Sequence, residues 1–200
     1  MHDRATQREK TRQKIVGVAV ATFASRGFRA ASTRDIAQQA KVSQGLIAYY
    51  FGSKGELWKE AMNRIFGELR SGLRVALEAN PAADPVSRLR AVVAEYVRFV
   101  AAHPELFRVM VEEGKRPDAR MRWLVDTHLA PTYEALENLL AATGTTGTRE
   151  HPAHVYYTLA GAASLMFAVA PECQRLTGLD PRKVEAIEAH AHLLVRLLVP

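Results

Sequence analysis

Ser32-Thr-Arg-Asp-Ile-Ala-Gln-Gln-Ala-Lys-Val-Ser-Gln-Gly-Leu-Ile-Ala-Tyr-Tyr-Phe51 reads as two short helices with a tight break between them. Ser32 is a good N-cap, and Asp35 three residues on makes an approximate capping box. Ile36 and Ala40, at i and i+4, give the first helix one apolar edge. Lys41-Val42 ends it, and Ser43 caps a second helix running to about Tyr50. Val42, Leu46 or Ile47, and Phe51 can point back to a core, which leaves Gln44, Gly45, Ala48 and Tyr49 outside. This is the plan of a helix-turn-helix, whose second helix fits the DNA major groove with its N-terminal residues toward base edges. Gln44 can pair bidentately with adenine, and Gly45 removes bulk so that the backbone can come close. A plain helical hairpin inside an all-α core accounts for the same pattern, because short helix pairs are common.

Outward from this stretch, charge separates the chain into two parts. Residues 1–55 hold ten Lys/Arg against three Asp/Glu, a balance of +7, while residues 56–200 hold seventeen against eighteen, a balance of −1. A basic module joined to a neutral one suggests a polyanion at the first and something else at the second. A solubilising basic arm explains Arg4, Arg8 and Lys10 as well, but Arg34 and Lys54 less well. Apolar residues make up 48% of the 200, enough for a core, and no stretch alternates as a strand would. The single cysteine, Cys173, excludes an intrachain disulfide and a multi-cysteine metal site. The polar N-terminus lacks an apolar signal core, so a cytoplasmic protein is expected.

Residues 1–9 read as disordered and residues 10–25 as a helix with Ile15, Ala19 and Phe23 on one apolar face. Lys10, Arg12 and Lys14 crowd its start, where the helix dipole disfavours cations, a mismatch that nearby phosphates would relieve. Gly27 stops the helix and Phe28 packs back on it. After the second helix of the pair comes Gly52-Ser-Lys-Gly55, a turn that sets Lys54 to meet a phosphate.

Phe23-Ala-Ser-Arg-Gly-Phe28, Arg34-Asp-Ile-Ala37, Val42-Ser-Gln-Gly45 and Tyr50-Phe-Gly-Ser-Lys-Gly-Glu-Leu57 together resemble the N-terminal domain of TetR/AcrR-family transcriptional regulators. The match covers residues 10–60 in spacing and residue type. One departure matters: Ala48 stands where many members carry a tyrosine that touches a phosphate, a contact left to Tyr49 or Tyr50. The resemblance implies Arg34 and Gln44 as base readers beside Gly45. It implies phosphate contacts from Ser32, Thr33, Ser43, Tyr49, Tyr50 and Lys54. It also implies dimerisation through a four-helix bundle of the last two long helices and a small ligand held between central helices.

Beyond the turn, Ser53 caps a long helix over residues 55–79 with a stripe of Leu57, Ala61 or Met62, Ile65, Leu69, Leu73 and Leu77. Asn80 to Pro85 is a linker; helices over 86–102 and 105–113 follow, separated by His103-Pro104. A helix over 119–142 should kink at Pro131, and Thr143 to Arg149 is a loop tract. The last helices are expected over 152–170 and 181–198. Val155 to Ala170 is uncharged for 16 residues, too short for a membrane span of roughly 20, and reads as a helix buried nearly all round. Its small residues, Ala160 to Ser164, would let another helix approach, and Val184, Ile187, Ala191, Leu194 and Leu198 give the final helix a matching stripe. So apolar a pair at the end of the chain points to a second copy covering it.

No catalytic constellation emerges. His151 and His154 flank Pro152 and suit capping or the surface better than a metal; His190 and His192 diverge on a helix; Gly144 and Gly147 lack the residues of a phosphate loop. Neither metal nor cofactor is expected. Phe66, Tyr96, Phe99, Phe107, Met110, Trp123, Tyr133, Tyr156 and Phe167 could wall a pocket, though core packing is the default for each one. Arg98, Arg108 and Asp126 are its polar candidates, each better placed on the surface.

The combined expectation is an all-α chain. Residues 1–54 form an N-terminal arm and a three-helix helix-turn-helix domain. Residues 55–200 form a helical ligand-binding and dimerisation domain. Its partners would be a near-palindromic double-stranded operator, a second copy and a small apolar or aromatic effector, with no membrane. The competing reading is a helical small-molecule-binding protein or enzyme without sequence-specific DNA binding.

Overall fold

The computed structural model describes residues 2–144 and 151–199, which form helices joined by turns and short irregular links, with no strand among them. The helices are α1 (His2–Ala30), α2 (Thr33–Gln39), α3 (Gln44–Phe51), α4 (Lys54–Glu78), α5 (Pro85–Ala102), α6 (Glu105–Gly114), α7 (Ala119–Leu124), α8 (Ala130–Ala142), α9 (Pro152–Ala168), α10 (Ala170–Thr177) and α11 (Val184–Leu198). Two compact units divide the chain: Met1–Gly67 with Arg108–Arg116, and Glu68–Phe107 with Pro117–Pro200.

In the first unit, α1, α2, α3 and the start of α4 enclose a core. Ile15, Ala19, Phe23, Ile36, Ala40, Ile47, Leu57, Trp58, Ala61 and Met62 are at most 2% exposed. Each large side chain among them stabilises the fold by about 1.5–3 kcal/mol through burial. Phe28 stacks on Phe23 with ring centroids 5.9 Å apart and meets Trp58 edge-on at 6.3 Å, as expected of a residue that packs back. Gly27 breaks α1 at φ 70°, ψ 165°, a region open essentially to glycine alone.

The start of α1 differs from expectation. It is helical from His2, so residues 2–9 are not a disordered arm. Tertiary anchors that propensity does not register explain this. Arg8 reaches Tyr49, and Arg12 pairs with Glu60 and lies 5.7 Å from the Phe51 ring centroid. The earlier start also moves Lys10, Arg12 and Lys14 away from the helix terminus, so the inferred clash with the dipole does not arise.

In the second unit, α5 packs on α11, α9 and α8, and α9 packs on α11. Leu89, Val93, Val97 and Val100 of α5, Ala163, Ser164 and Phe167 of α9, and Ala191 and Leu194 of α11 are buried. Asp84 caps α5 by accepting from Val86 and Ser87 N–H, and Pro85 occupies the first turn, where its missing donor costs nothing. Leu73 and Leu77, at the far end of the α4 stripe, are only half-buried.

The helix expected over 119–142 bends through a wide turn. Val125–Leu129 is a π-helix segment in which Ala130 N–H bonds to Val125 O, five residues back. Pro131 has no N–H to offer the carbonyl of Thr127, and the register slips just ahead of it. The slip carries His128 inward to 1% exposure.

The C-terminal pair also departs from expectation. The helix predicted over 152–170 ends at Ala168, with Val169 at φ −114°, ψ 35°, because Pro171 cannot continue it. An unpredicted helix, α10, follows at a 75° bend, and among the described residues no single helix is long and apolar enough to cross a membrane. Nor is α9 buried all round: Tyr157 is 73% and Leu165 55% exposed. The small residues of α9 receive α5 and α11 of the same chain, with Ala163 fully buried and His190 Nε2 2.9 Å from the Ala162 carbonyl. On α11, which starts at Val184 rather than 181, Val184 is exposed, and so are Leu193 and Leu197. The predicted tract from Thr143 to Arg149 lies outside the described residues from 145 onward.

Candidate nucleic-acid interface

The turn between α2 and α3 is built on one unusual residue. Lys41 adopts φ 54°, the left-handed conformation. Lys41 N–H returns to Gln38 O and Val42 N–H to Ala37 O, each at 3.0 Å, which is the bond pair of a Schellman motif. The motif satisfies the last carbonyls of α2 and redirects the chain into α3. At the other end of α2, Ser32 Oγ accepts from Asp35 N–H at 3.0 Å, while the Asp35 carboxylate is held by Arg26 at 2.7 Å. Since Oγ acts there as an acceptor, the Ser32 hydroxyl proton can still be donated outward.

On α3, Ile47 and Phe51 face the core, Leu46 is half-buried, and Gln44, Gly45, Ala48 and Tyr49 are exposed. Ser43 has N-cap backbone geometry but makes no side-chain cap bond, contrary to its expected capping role, and it too is exposed. A Cβ on Gly45 would meet nothing within 4 Å, so nothing in the protein itself requires glycine there. Gly52, at φ 72°, closes α3, and Ser53 Oγ then caps α4 by accepting from Glu56 N–H at 3.1 Å.

These turns converge. A cleft of about 530 Å³ is lined by Arg29, Ser32, Thr33, Gln44, Ala48, Ser53 and Lys54, among others. The N-terminal ends of α2 and α4 therefore open onto the same concavity as the outer face of α3, a disposition of donors and dipole ends that suits anionic oxygens. Lys54 lies over the Phe28 ring, 4.7 Å from its centroid, with Nζ 3.3 Å from the Arg29 carbonyl. Of the remaining predicted residues, Arg34 is exposed on α2. Tyr49 is 64% exposed and Tyr50 half-buried, their rings edge-to-face at 5.1 Å.

The aromatic residues suggested for a pocket fall into separate groups. Phe66 and Met110 belong to the first unit, and the other seven to the second. There, Tyr133 and Tyr156 meet edge-to-face at 5.5 Å. Burial raises the Tyr96 hydroxyl above its ordinary range and pushes Tyr156 up to about 12, so both phenols stay neutral at ordinary pH. Phe99 stacks on His103 at 4.5 Å, Trp123 meets His128 at 5.3 Å and Phe167 meets His190 at 5.6 Å; Phe107 is half-buried. Arg98, a suggested polar anchor, is bound by Glu188 through two 2.7 Å bonds, and Asp126 is exposed. His151 caps α9, its Nδ1 accepting from Ala153 N–H at 3.2 Å.

Sequence reasoning missed His128. Its Nδ1 lies 2.9 Å from Arg70 Nη1, and since arginine only donates, the ring is neutral and carries its proton on Nε2. Burial, helped by the Arg70 cation, lowers its pKa to about 4. The one available signal was Pro131 three residues on, which announced a distortion without saying which side chain it would turn inward.

Residues 15–61 match the family described as bacterial regulatory proteins, tetR family. The chain is 34% identical over 114 residues to the HTH-type transcriptional repressor NicS of Pseudomonas putida, covering 56% of this chain and 51% of that one. It is 32% identical over 105 residues to the HTH-type transcriptional activator FasR of Mycolicibacterium smegmatis, covering 52% and 47%. The chain thus spans about half the length of the curated relatives it matches. In fold it is similar to the ketosteroid transcriptional regulator KstR2 of Mycobacterium tuberculosis, with a TM-score of 0.70 at 19% identity over 94% of this chain and 95% of that one. It also resembles a TetR-like transcriptional regulator from Rhodococcus sp. RHA1, with a TM-score of 0.67 at 23% identity over 94% and 93%. Residues 15–61, which hold the helix-turn-helix closed by a left-handed lysine, thus match the tetR family of bacterial regulatory proteins along their own length, and the helical fold that carries them is similar to that of such regulators.

Proposed function

We propose that this chain is a ligand-responsive DNA-binding transcriptional regulator of the cytoplasm, acting as a repressor released from a near-palindromic operator by a small apolar or aromatic effector. The observation that carries the reading is the shared cleft: two helix N-termini, Gln44 and the cations Arg29 and Lys54 meet on one surface of the segment that holds the chain's excess positive charge. Residues 1–54 carry DNA recognition and residues 55–200 carry effector sensing and dimerisation. Arg34 and Gln44 read base edges; Ser32, Thr33, Ser43, Tyr49, Tyr50 and Lys54 hold phosphates. The exposed Tyr157 and Leu165 of α9 and Leu193 and Leu197 of α11 form the face for a second copy. A two-fold dimer then reads two related half-sites. The effector acts by population shift, favouring a dimer whose recognition helices no longer match successive major grooves.

The test starts from a random-sequence duplex pool enriched by the wild-type protein. Gln44→Ala should cost roughly 1–3 kcal/mol on the enriched duplex and relax its sequence preference, whereas Lys54→Ala should weaken enriched and unrelated duplexes alike. An unchanged preference in Gln44→Ala would remove α3 from base recognition.

A further inference from the structure

Arg8 and Arg12 sit one helical turn apart on α1, and both meet side chains of α3. Arg12 is neutralised there: it pairs with Glu60, lies 3.7 Å from Glu9, and rests against the Phe51 ring. Arg8 is placed differently. Its guanidinium lies over the Tyr49 ring, 5.5 Å from the centroid, and its Nη2 donates to the Tyr49 hydroxyl oxygen. Among the described residues no carboxylate pairs with Arg8, and it remains exposed. The end of α1 that the sequence also offers as a solubilising arm thus brings to the outer surface of α3 a cation that no carboxylate pairs among the described residues.

The chemistry of the pair narrows what it can hold. The Tyr49 hydroxyl accepts from Arg8, so its own proton is directed elsewhere, and the adjacent positive charge makes it a stronger donor. The guanidinium has five N–H donors in a fixed fork, only one of which is used on Tyr49. One ligand that takes several N–H donors and one O–H donor together is a phosphate oxygen pair. Ala48, one residue earlier on α3, offers no donor of its own.

We infer that Arg8 and Tyr49 act as one composite clamp for a DNA backbone phosphate beside α3, with Arg8 also fixing the orientation of the Tyr49 ring. This rests on the DNA-binding reading and adds to it a contact from the first turns of α1. The clamp carries no base information; it sets affinity and register.

The experiment measures binding of the full chain to a duplex enriched from a random pool by the wild type and to a scrambled duplex of equal length, over 50–200 mM salt. Arg8→Ala should weaken both duplexes by a similar factor, about tenfold, and lower the slope of log K against log salt by about 0.9, the loss of one phosphate. Tyr49→Phe should weaken both less, because it removes one O–H donor and leaves the guanidinium, and the double variant should lose less than the sum of the two single losses, because Arg8 also orients the Tyr49 ring. The sequences enriched by Arg8→Ala should match those of the wild type, which also reports an intact fold. An unchanged salt slope with affinity within twofold of wild type would overturn the clamp and leave Arg8 a strut for Tyr49. Tighter binding by Arg8→Ala would overturn it too, since Arg8 would then hold Tyr49 away from DNA. Failure of the wild type to enrich any sequence would overturn the parent reading itself, a result distinct from either.

Discussion

Mild acid should destabilise the second unit through His128. The ring is 1% exposed in the π turn, and Nδ1 accepts from Arg70 Nη1 at 2.9 Å. Protonation would put a proton where a cation already donates, inside a site that excludes water. Burial first, and then the Arg70 charge, hold the folded pKa at about 4 against an ordinary 6.5. Above pH 6.5 the ring is neutral in both folded and unfolded chains, and full stability is present. As the pH falls below 6.5 the unfolded chain takes up a proton that the fold refuses, and stability declines until the folded ring also protonates near pH 4. At about 1.36 kcal/mol per pH unit, the loss is about 2 kcal/mol at pH 5 and approaches 3 kcal/mol near pH 4. The assay is urea unfolding at pH 7.5, 6 and 5, at one protein concentration so that association does not shift the midpoint. His128→Asn is the reference, because its amide oxygen can still accept from Arg70 but does not titrate. It should be less stable than wild type at pH 7.5, having lost packing, yet flatter with pH. Between pH 7.5 and 5 the wild type should lose about 2 kcal/mol more than the variant. Parallel decline of the two proteins would refute the reasoning, by showing that carboxylates elsewhere carry the acid sensitivity.

Two further outcomes follow from local geometry. Gly27→Ala should destabilise the chain by about 1–3 kcal/mol, because φ 70°, ψ 165° excludes a Cβ even though open space surrounds it; thermal unfolding measures this, and an unchanged midpoint would show that the bend can relax. Leu197→Arg, at a side chain 68% exposed on α11, should shift sedimentation from dimer to monomer without loss of helicity, and an unmoved dimer would place the partner surface elsewhere.

The sequence carried the backbone of this protein well wherever a signal was local. Ser32 and Ser53 cap the helices they were placed to begin, and Gly27 ends the one it was placed to end. The outward residues of α3 follow from period alone, since a helix that buries Ile47 and Phe51 has little choice about Gln44, Ala48 and Tyr49. What the sequence concealed were side-chain partners remote along the chain. An arginine eight residues from the start reads as part of a solvated arm until the fold brings Tyr49, 41 residues on, beneath it. The uncharged run of α9 illustrates the same limit: apolarity says that a surface tends to be covered, but not which residues the chain itself covers, and α5 and α11 cover Ala163 while Leu165 stays exposed. His128 is the clearest case. One histidine among seven carries no local mark of burial, and only the π turn ahead of Pro131 rotates it onto Arg70, 58 residues earlier. Helix propensity and capping act within a turn or two, so they fix where elements begin and end. Charge pairing and desolvation act across the packed unit, so they become readable only once the elements are assembled, and the interactions that His128→Asn and Arg8→Ala would remove are of that second kind.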